Sequence, residues 1–421
     1  MIAVCEPSCV GASHETPNAG FIAALTKCFP GEEITFYGEK QHLNIIKGIL
    51  EKKRFSTRLV RFRPIFVSRY RTIFDLPLNL CSCWNMLREL TNNKCNRVLF
   101  LSAYPVHAYA IKKMCGFFAN IKCTFVLHGD LEALSGETYA ATPVIVEKKT
   151  ILERLRGKSL AQLCARARDM LWDKLKAGYF RFCTLRFDIR KTLPLLQETG
   201  RFNHIALSPH IEPNLSRYID TAKLNLHTIT MPAVFSAELP ARPINAYVKF
   251  GIFGYGNAGM LQRLNMALAK LDIRQNYEIR IIGADGRGVE GYPQVTQPIS
   301  GRPLTREEME ELVRDIDMQM ILYEDFLYKL SCSASIIEAH VYAKPIIYLK
   351  NECMDAFNPP EKPIGIRCAD VKEMAEQMHR IIDIGGGIFQ EELEQYYQNI
   401  LFHRKRIDIM NNLHTLKNAL S

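Results

Sequence analysis

Short apolar runs rich in β-branched and aromatic residues alternate with helix-forming stretches along most of this chain. The alternation stops at a proline-bearing segment and then starts again. Runs of this kind, bounded by polar or glycine-containing turns, suit strands buried on both faces, and strand–helix–strand repetition points to a parallel sheet covered by helices. In the first half the predicted strands are Ile2–Cys5, Glu33–Tyr37, Arg97–Leu101, Cys123–Leu127, Phe182–Leu185, His204–Leu207 and His227–Thr230. Helices fall between several of them, for example His42–Lys52 and Val106–Phe118. Met231–Ala246, with Pro232, Pro240 and Pro243, reads as a linker. Beyond it come strand Val248–Phe253, a glycine-rich turn Gly254–Gly259, helix Met260–Leu271 and strand Tyr277–Gly283. Thr305–Arg314 reads as a helix capped by Thr305, with Glu307 and Glu308 in the first turn, where the helix dipole favours acids. Strands Met318–Tyr323 and Pro345–Leu349 flank a helix Ser335–Tyr342, and the charged, amphipathic Phe389–Leu420 reads as helix.

A chain of 421 residues is too long for a single core. The pattern therefore predicts an α/β protein of two doubly wound, Rossmann-like domains, residues 1–240 and 241–395. Ligands of such sheets bind at the carboxyl ends of the strands. An apolar fraction of 48% and a charged fraction of 23% exclude a disordered chain. The thirteen cysteines are odd in number and show no zinc-type spacing, which favours reduced thiols. The start, MIAVCEP, lacks the positive region of a signal peptide, and the longest uncharged stretch, Val98–Ile111, is too short to span a bilayer. A cytoplasmic location, with possible peripheral contact to membrane, is expected.

The net charge of +10 is unevenly spread. Lys52–Arg71, KKRFSTRLVRFRPIFVSRYR, interleaves cations with aromatics and holds no acid, and Lys148–Lys191 is a second basic region. Both suit an anionic lipid surface, and both equally suit solvated helix faces. Nucleic acid is not expected as a partner, since no recognition motif for it is present.

Three segments carry candidate chemistry. In Leu327–Leu349, LYKLSCSASIIEAHVYAKPIIYL, Ser333 and Ser335 precede or open a helix. N–H groups and the helix dipole there suit a phosphate, and Glu338 can accept hydrogen bonds from sugar hydroxyls; an ordinary capped helix is the plainer alternative. In VKFGIFGYGNAG, a strand runs into Gly254, Gly256 and Gly259, where N–H groups of the turn can bind a diphosphate, or simply make a tight turn. In CTFVLHGDL, His128 ends a strand on the functional edge of its sheet, beside Ser8–Gly20 with Gly11, Ser13, His14 and Asn18; a lone histidine is more often structural.

These features together resemble the two-domain GT-B glycosyltransferases, specifically the group 1 (family four) retaining enzymes. The resemblance rests on Val126–Gly129, on the restarting strand and turn Phe250–Gly259, and on Ile336–Ile347, IIEAHVYAKPII, which is similar to the EA-x-x-x-G-x-P-V-I signature. It implies two domains facing each other across a cleft, with residues 396–421 as a C-terminal helix packing back towards the first. It also implies that Glu338 holds the ribose, that Ser333, Ser335, Gly256 and Asn257 meet the diphosphate, and that His128 faces the donor sugar. Arg302 and Leu304 would cup the base, Gly11 and Ser13 would close over donor and acceptor, and Lys329, Arg263 or Arg287 would supply a cation. Three positions depart from the pattern: Leu330 stands where the first acid belongs, Ala258 where a basic residue is usual, and Ala343 where the signature has glycine.

The expected function is transfer of a sugar, hexosyl or related, from a nucleotide diphosphate-sugar to a saccharide or lipid-linked saccharide in cell-surface polysaccharide or glycan synthesis. The resemblance implies retention of configuration, no metal and no cofactor beyond the donor. The alternatives are a nucleotide-sugar epimerase of the same fold and a non-catalytic sugar-nucleotide-binding subunit.

Overall fold

The computed structural model describes residues 1–67, 75–118, 120–135, 201–235, 242–254, 257–283, 291–302, 304–384 and 388–421, with a few isolated residues between 164 and 193. Gly256, Arg287, the expected strand Phe182–Leu185 and most of Lys148–Lys191 lie outside the described residues. By contacts the chain forms two units. The first comprises Met1–Ser135, Glu147–Pro232 and Asn412–Ser421; the second comprises Gly136–Val146 and Ala233–Asn411.

The first unit holds a seven-stranded parallel sheet. Its elements are β1 (Ile2–Cys5), α1 (Glu15–Cys28), β2 (Ile34–Gly38), α2 (Lys40–Lys52), β3 (Val60–Pro64), α3 (Asp75–Asn92), β4 (Arg97–Phe100), α4 (Pro105–Cys115), β5 (Lys122–Val126), β6 (Phe202–Ala206), α5 (Ile211–Leu215) and β7 (Leu226–Thr228). The strand order is β3-β2-β1-β4-β5-β6-β7. Ala3 of β1 lies between Thr35 of β2 and Val98 of β4, so the order reverses at β1 and β4 and opens a crevice beyond their carboxyl ends. All four β1 residues, IAVC, are buried, as expected of a central strand covered on both faces.

The second unit repeats the scheme with β8 (Val248–Phe253), α6 (Ala258–Leu268), β9 (Tyr277–Ile282), β10 (Val295–Thr296), α7 (Arg306–Arg314), β11 (Met318–Ile321), α8 (Ala334–Val341), β12 (Ile346–Leu349), α9 (Glu352–Phe357), β13 (Gly365–Cys368), α10 (Val371–Ile384), α11 (Ile388–Ile407) and α12 (Ile409–Leu420), the last running on into the first unit. Its six parallel strands lie in the order β10-β9-β8-β11-β12-β13, reversing at β8 and β11. Gly365 is obligatory in β13, because a Cβ there would lie 1.8 Å from the carbonyl oxygen of Ile346.

Two sequence expectations need correction. Part of Lys52–Arg71 is the edge strand β3, not a helix face. Val60 and Phe62 supply the apolar alternation, Phe62 pairs with Phe36 of β2, and Arg61 and Arg63 turn outward to Glu33 and Glu89. Charge at that edge opposes pairing with another chain. Phe389–Leu420 is not one helix either. It breaks at Asp408, whose carboxylate accepts the N–H of Met410 at 2.8 Å and caps the next helix.

Candidate functional site

Each unit gathers polar residues at its own strand reversal. In the second unit, β8 ends at Phe253 and Gly254 turns with φ +68°, a conformation that favours glycine. Asn257 then caps α6, its Oδ1 accepting the N–H of Met260 at 3.1 Å. The same side chain is 2% exposed, and its Nδ2 has no hydrogen-bond partner among the described residues. Across β11, Ser333 caps α8, its Oγ accepting the N–H of Ser335 at 3.2 Å. The buried Tyr323 hydroxyl donates to Ser335 Oγ at 2.9 Å and lies 3.0 Å from Ser333 Oγ, and Ser335 Oγ donates to the Phe253 carbonyl at 3.3 Å. A Cβ on Gly254 would lie 3.5 Å from the Ser335 hydroxyl, and one on Gly283 (φ +77°) would lie 3.7 Å from Leu304. The starts of α6 and α8 therefore converge on the Gly254 turn. First-turn N–H groups lacking intrahelical partners make such a place an anion cradle. The serine hydroxyls serve the loop itself, so the backbone is what they leave for a ligand.

Glu338, one turn further along α8, lies 3.8 Å from Arg306 of α7, and the Arg306 guanidinium stacks 5.2 Å over the Tyr342 ring. Arg302 instead pairs with Glu308 on an exposed face, and with the Thr305 N–H it pulls that carboxyl down to about 2. Lys329 is half-buried in the loop before α8, and Leu330 beside it is fully buried.

In the first unit the centre is Glu6, an acid directly after β1 that is completely buried. Its Oε1 accepts the N–H groups of Ser8 and Cys9 at 3.0 and 3.1 Å, and its Oε2 accepts Asn18 Nδ2 at 3.0 Å. Burial alone would push the carboxyl up; the His14 and His42 imidazoles, the Ser102 hydroxyl and the Ser8 N–H hold it below the usual carboxylate range. Asn18 Nδ2 also reaches His42 Nε2 at 3.0 Å, and His42 Nδ1 reaches the Gly11 carbonyl at 2.7 Å. Gly11, at φ +57°, donates its N–H to Glu39, so the loop that carries exposed Ser13 is tied at both its carbonyl and its amide. His14 stacks on His128 with ring centroids 5.0 Å apart. Burial, and then the His14 imidazole, push His128 down to about 4, and its Nε2 is buried with no partner among the described residues.

Sequence reading found Gly11, Ser13 and His128 but passed over Glu6, His42, Ser102, Tyr323 and Arg306. The available signal was position: Glu6 directly follows the central strand β1, and Tyr323 stands two residues beyond the central strand β11.

The sequence matches no protein-family model and no curated protein. Solved structures do match. The lipopolysaccharide outer core galactosyltransferase WaaB, in its apo form, aligns over 99% of this chain and 98% of its own, with a TM-score of 0.53 and 11% identity. A glycosyltransferase from Rickettsia africae ESF-5 aligns over 99% of this chain and 96% of its own, with a TM-score of 0.53 and 12% identity. The fold is GT-B. This GT-B chain is a diverged one, and Leu330, Ala258 and Ala343 are where its signature departs from the pattern that the sequence resembles.

Proposed function

We propose that the protein transfers a sugar, a hexose or a close relative, from a nucleotide diphosphate-sugar to a saccharide or lipid-linked saccharide acceptor in the synthesis of a cell-surface polysaccharide or glycan. The observation that carries this reading is the cradle in the second unit. Two helix starts meet at a left-handed glycine, and a buried asparagine amide there is unpartnered among the described residues. A diphosphate would accept from Asn257 Nδ2 and the first-turn N–H groups, and Glu338 would hold the ribose hydroxyls. As the bond to the sugar breaks, negative charge grows on the leaving diphosphate, and fixed dipoles stabilise that charge without reorganising. The donor brings the reactive group, so this reading requires no separate cofactor.

A panel of nucleoside diphosphates in a thermal-shift assay tests the cradle, since a ligand of the native state raises its melting temperature. One or more should shift the wild type, and Asn257→Ala and Glu338→Ala should lose the shift while keeping the native circular dichroism. Unchanged donor hydrolysis by Glu338→Ala would sink the assignment. The buried Leu330 favours a second reading, a subunit that binds the sugar nucleotide without turnover. Binding without hydrolysis or transfer across donors and acceptors would support it.

A further inference from the structure

At the amino edge of the first sheet, opposite the crevice at β1 and β4, a cavity of about 450 Å³ lies between the end of α1 and the turn joining α2 to β3. That volume is in the range of small-molecule sites. Its apolar lining includes Phe29, Phe55 and Leu59, and Leu59 is 44% exposed. Lys27 and Arg54 line it too; both are exposed, and neither side chain has a partner among the described residues. Glu32, the acid of the lining, is held by Arg97 Nη2 at 2.6 Å, and the Arg97 guanidinium stacks 4.9 Å over the Phe29 ring. The carbonyls that end α1 and α2 are also used. Leu25 accepts the Phe29 N–H at 3.0 Å, Leu50 the Phe55 N–H at 2.8 Å and Glu51 the Arg54 N–H at 2.9 Å. Two cations are therefore left over beside an apolar surface. Arg54 keeps its side chain there at φ +59°, where glycine is the easier residue.

We infer that this cavity binds a phosphate monoester carried on an apolar chain, with Lys27 and Arg54 on the phosphate and Phe29, Phe55 and Leu59 along the chain. A phosphate monoester carries close to two negative charges near pH 7, which the two cations match, and a guanidinium can meet two of its oxygens at once. Ser56 Oγ accepts the Arg58 N–H at 3.5 Å, which leaves its own hydrogen for a third oxygen. An uncharged chain would leave the cations unused, and inorganic phosphate would leave the apolar lining in water. Both a free alkyl or prenyl phosphate and a bilayer lipid with a bare phosphate headgroup have the required chemistry. The site lies wholly in the first unit and uses no residue of the Glu6 cluster or of the diphosphate cradle. It is therefore independent of the sugar-transfer reading.

Calorimetry on the full chain with octyl phosphate, kept below its micelle concentration, tests the site. Octyl phosphate should bind about tenfold more tightly than hexyl phosphate, since each buried methylene is worth roughly fourfold. Octanol and inorganic phosphate should each bind about tenfold more weakly than octyl phosphate, or worse, because each lacks half of the recognition. Lys27→Ala combined with Arg54→Gly should weaken octyl phosphate by about tenfold or more. Alanine suits the helix and glycine the left-handed turn, so this variant should keep the native circular dichroism. Phosphatidylcholine vesicles with and without phosphatidic acid separate the two sources. Binding that needs phosphatidic acid and is lost in the double variant assigns a bilayer lipid; octyl phosphate binding without vesicle binding assigns a free ligand. No binding of octyl phosphate, equal affinity for inorganic phosphate (an adventitious ion only), or wild-type affinity in the double variant overturns the inference.

Discussion

Single residues here are decided by what surrounds them, and the buried histidines show it most simply. His340 lies inside the second unit with Nδ1 on the Ile336 carbonyl at 2.8 Å, and burial pushes it down to about 4. His204, in the first unit, is pushed down to about 3 by burial and then by Lys112. An unfolded histidine titrates near 6.5, so between that value and the folded one the unfolded chain binds more protons. Stability is therefore full above about pH 6.5 and falls as the pH drops towards 4. Urea unfolding followed by circular dichroism should show this, and His340→Phe, which takes up no proton, should lose about 3 kcal/mol less across the interval. An equal loss in both proteins would assign the acid sensitivity elsewhere. The sequence names each histidine but not its burial, and for that reason His128 was visible as a strand-end residue while its neutrality and its His14 partner were not.

At the scale of elements, the strands with unbroken apolar runs were legible to within a residue or two, since a run buried on both faces needs no partner to be recognised. The edge strand β3 was not. Its arginines mask the alternation, and only pairing with β2 reveals it. The two-residue β10 was too short to read, and β13, GIRC, has glycine and arginine in place of an apolar run. The end of α8 shows the opposite case, a local rule broken in place. Ala343 follows the helix at φ +50°, where the signature that the chain resembles has glycine, and its Cβ makes that conformation costly. Ala343→Gly should therefore stabilise the protein by about 1 kcal/mol, the relief of the left-handed Cβ less the added freedom of the unfolded glycine. A lower urea midpoint would show that the alanine methyl contributes more to packing than the strain costs.

For the molecule as a whole, charge and topology make separate predictions. No helix among the described residues is long and apolar enough to cross a membrane. We propose that Lys52–Arg71 instead meets an anionic membrane surface. Lys52, Arg54 and Arg58 are exposed there, as are Leu59 (44%) and Phe66 (43%). Flotation should show binding to anionic vesicles that weakens with salt and with combined Lys52→Glu, Arg54→Glu and Arg58→Glu; equal affinity for neutral vesicles sinks the idea. By itself the sequence determined the repeated strand–helix alternation and hence two doubly wound units, because periodicity and apolar runs are local properties. It also marked the anion-suited helix start at Ser333 and Ser335, because a cap is written in adjacent residues. Tertiary structure alone decided that α6 and α8 start at the same turn, that Tyr323 engages both serine hydroxyls, and that His14 stacks on His128. Those are meetings of residues far apart in the chain, and only the parallel strand order brings their carboxyl ends together.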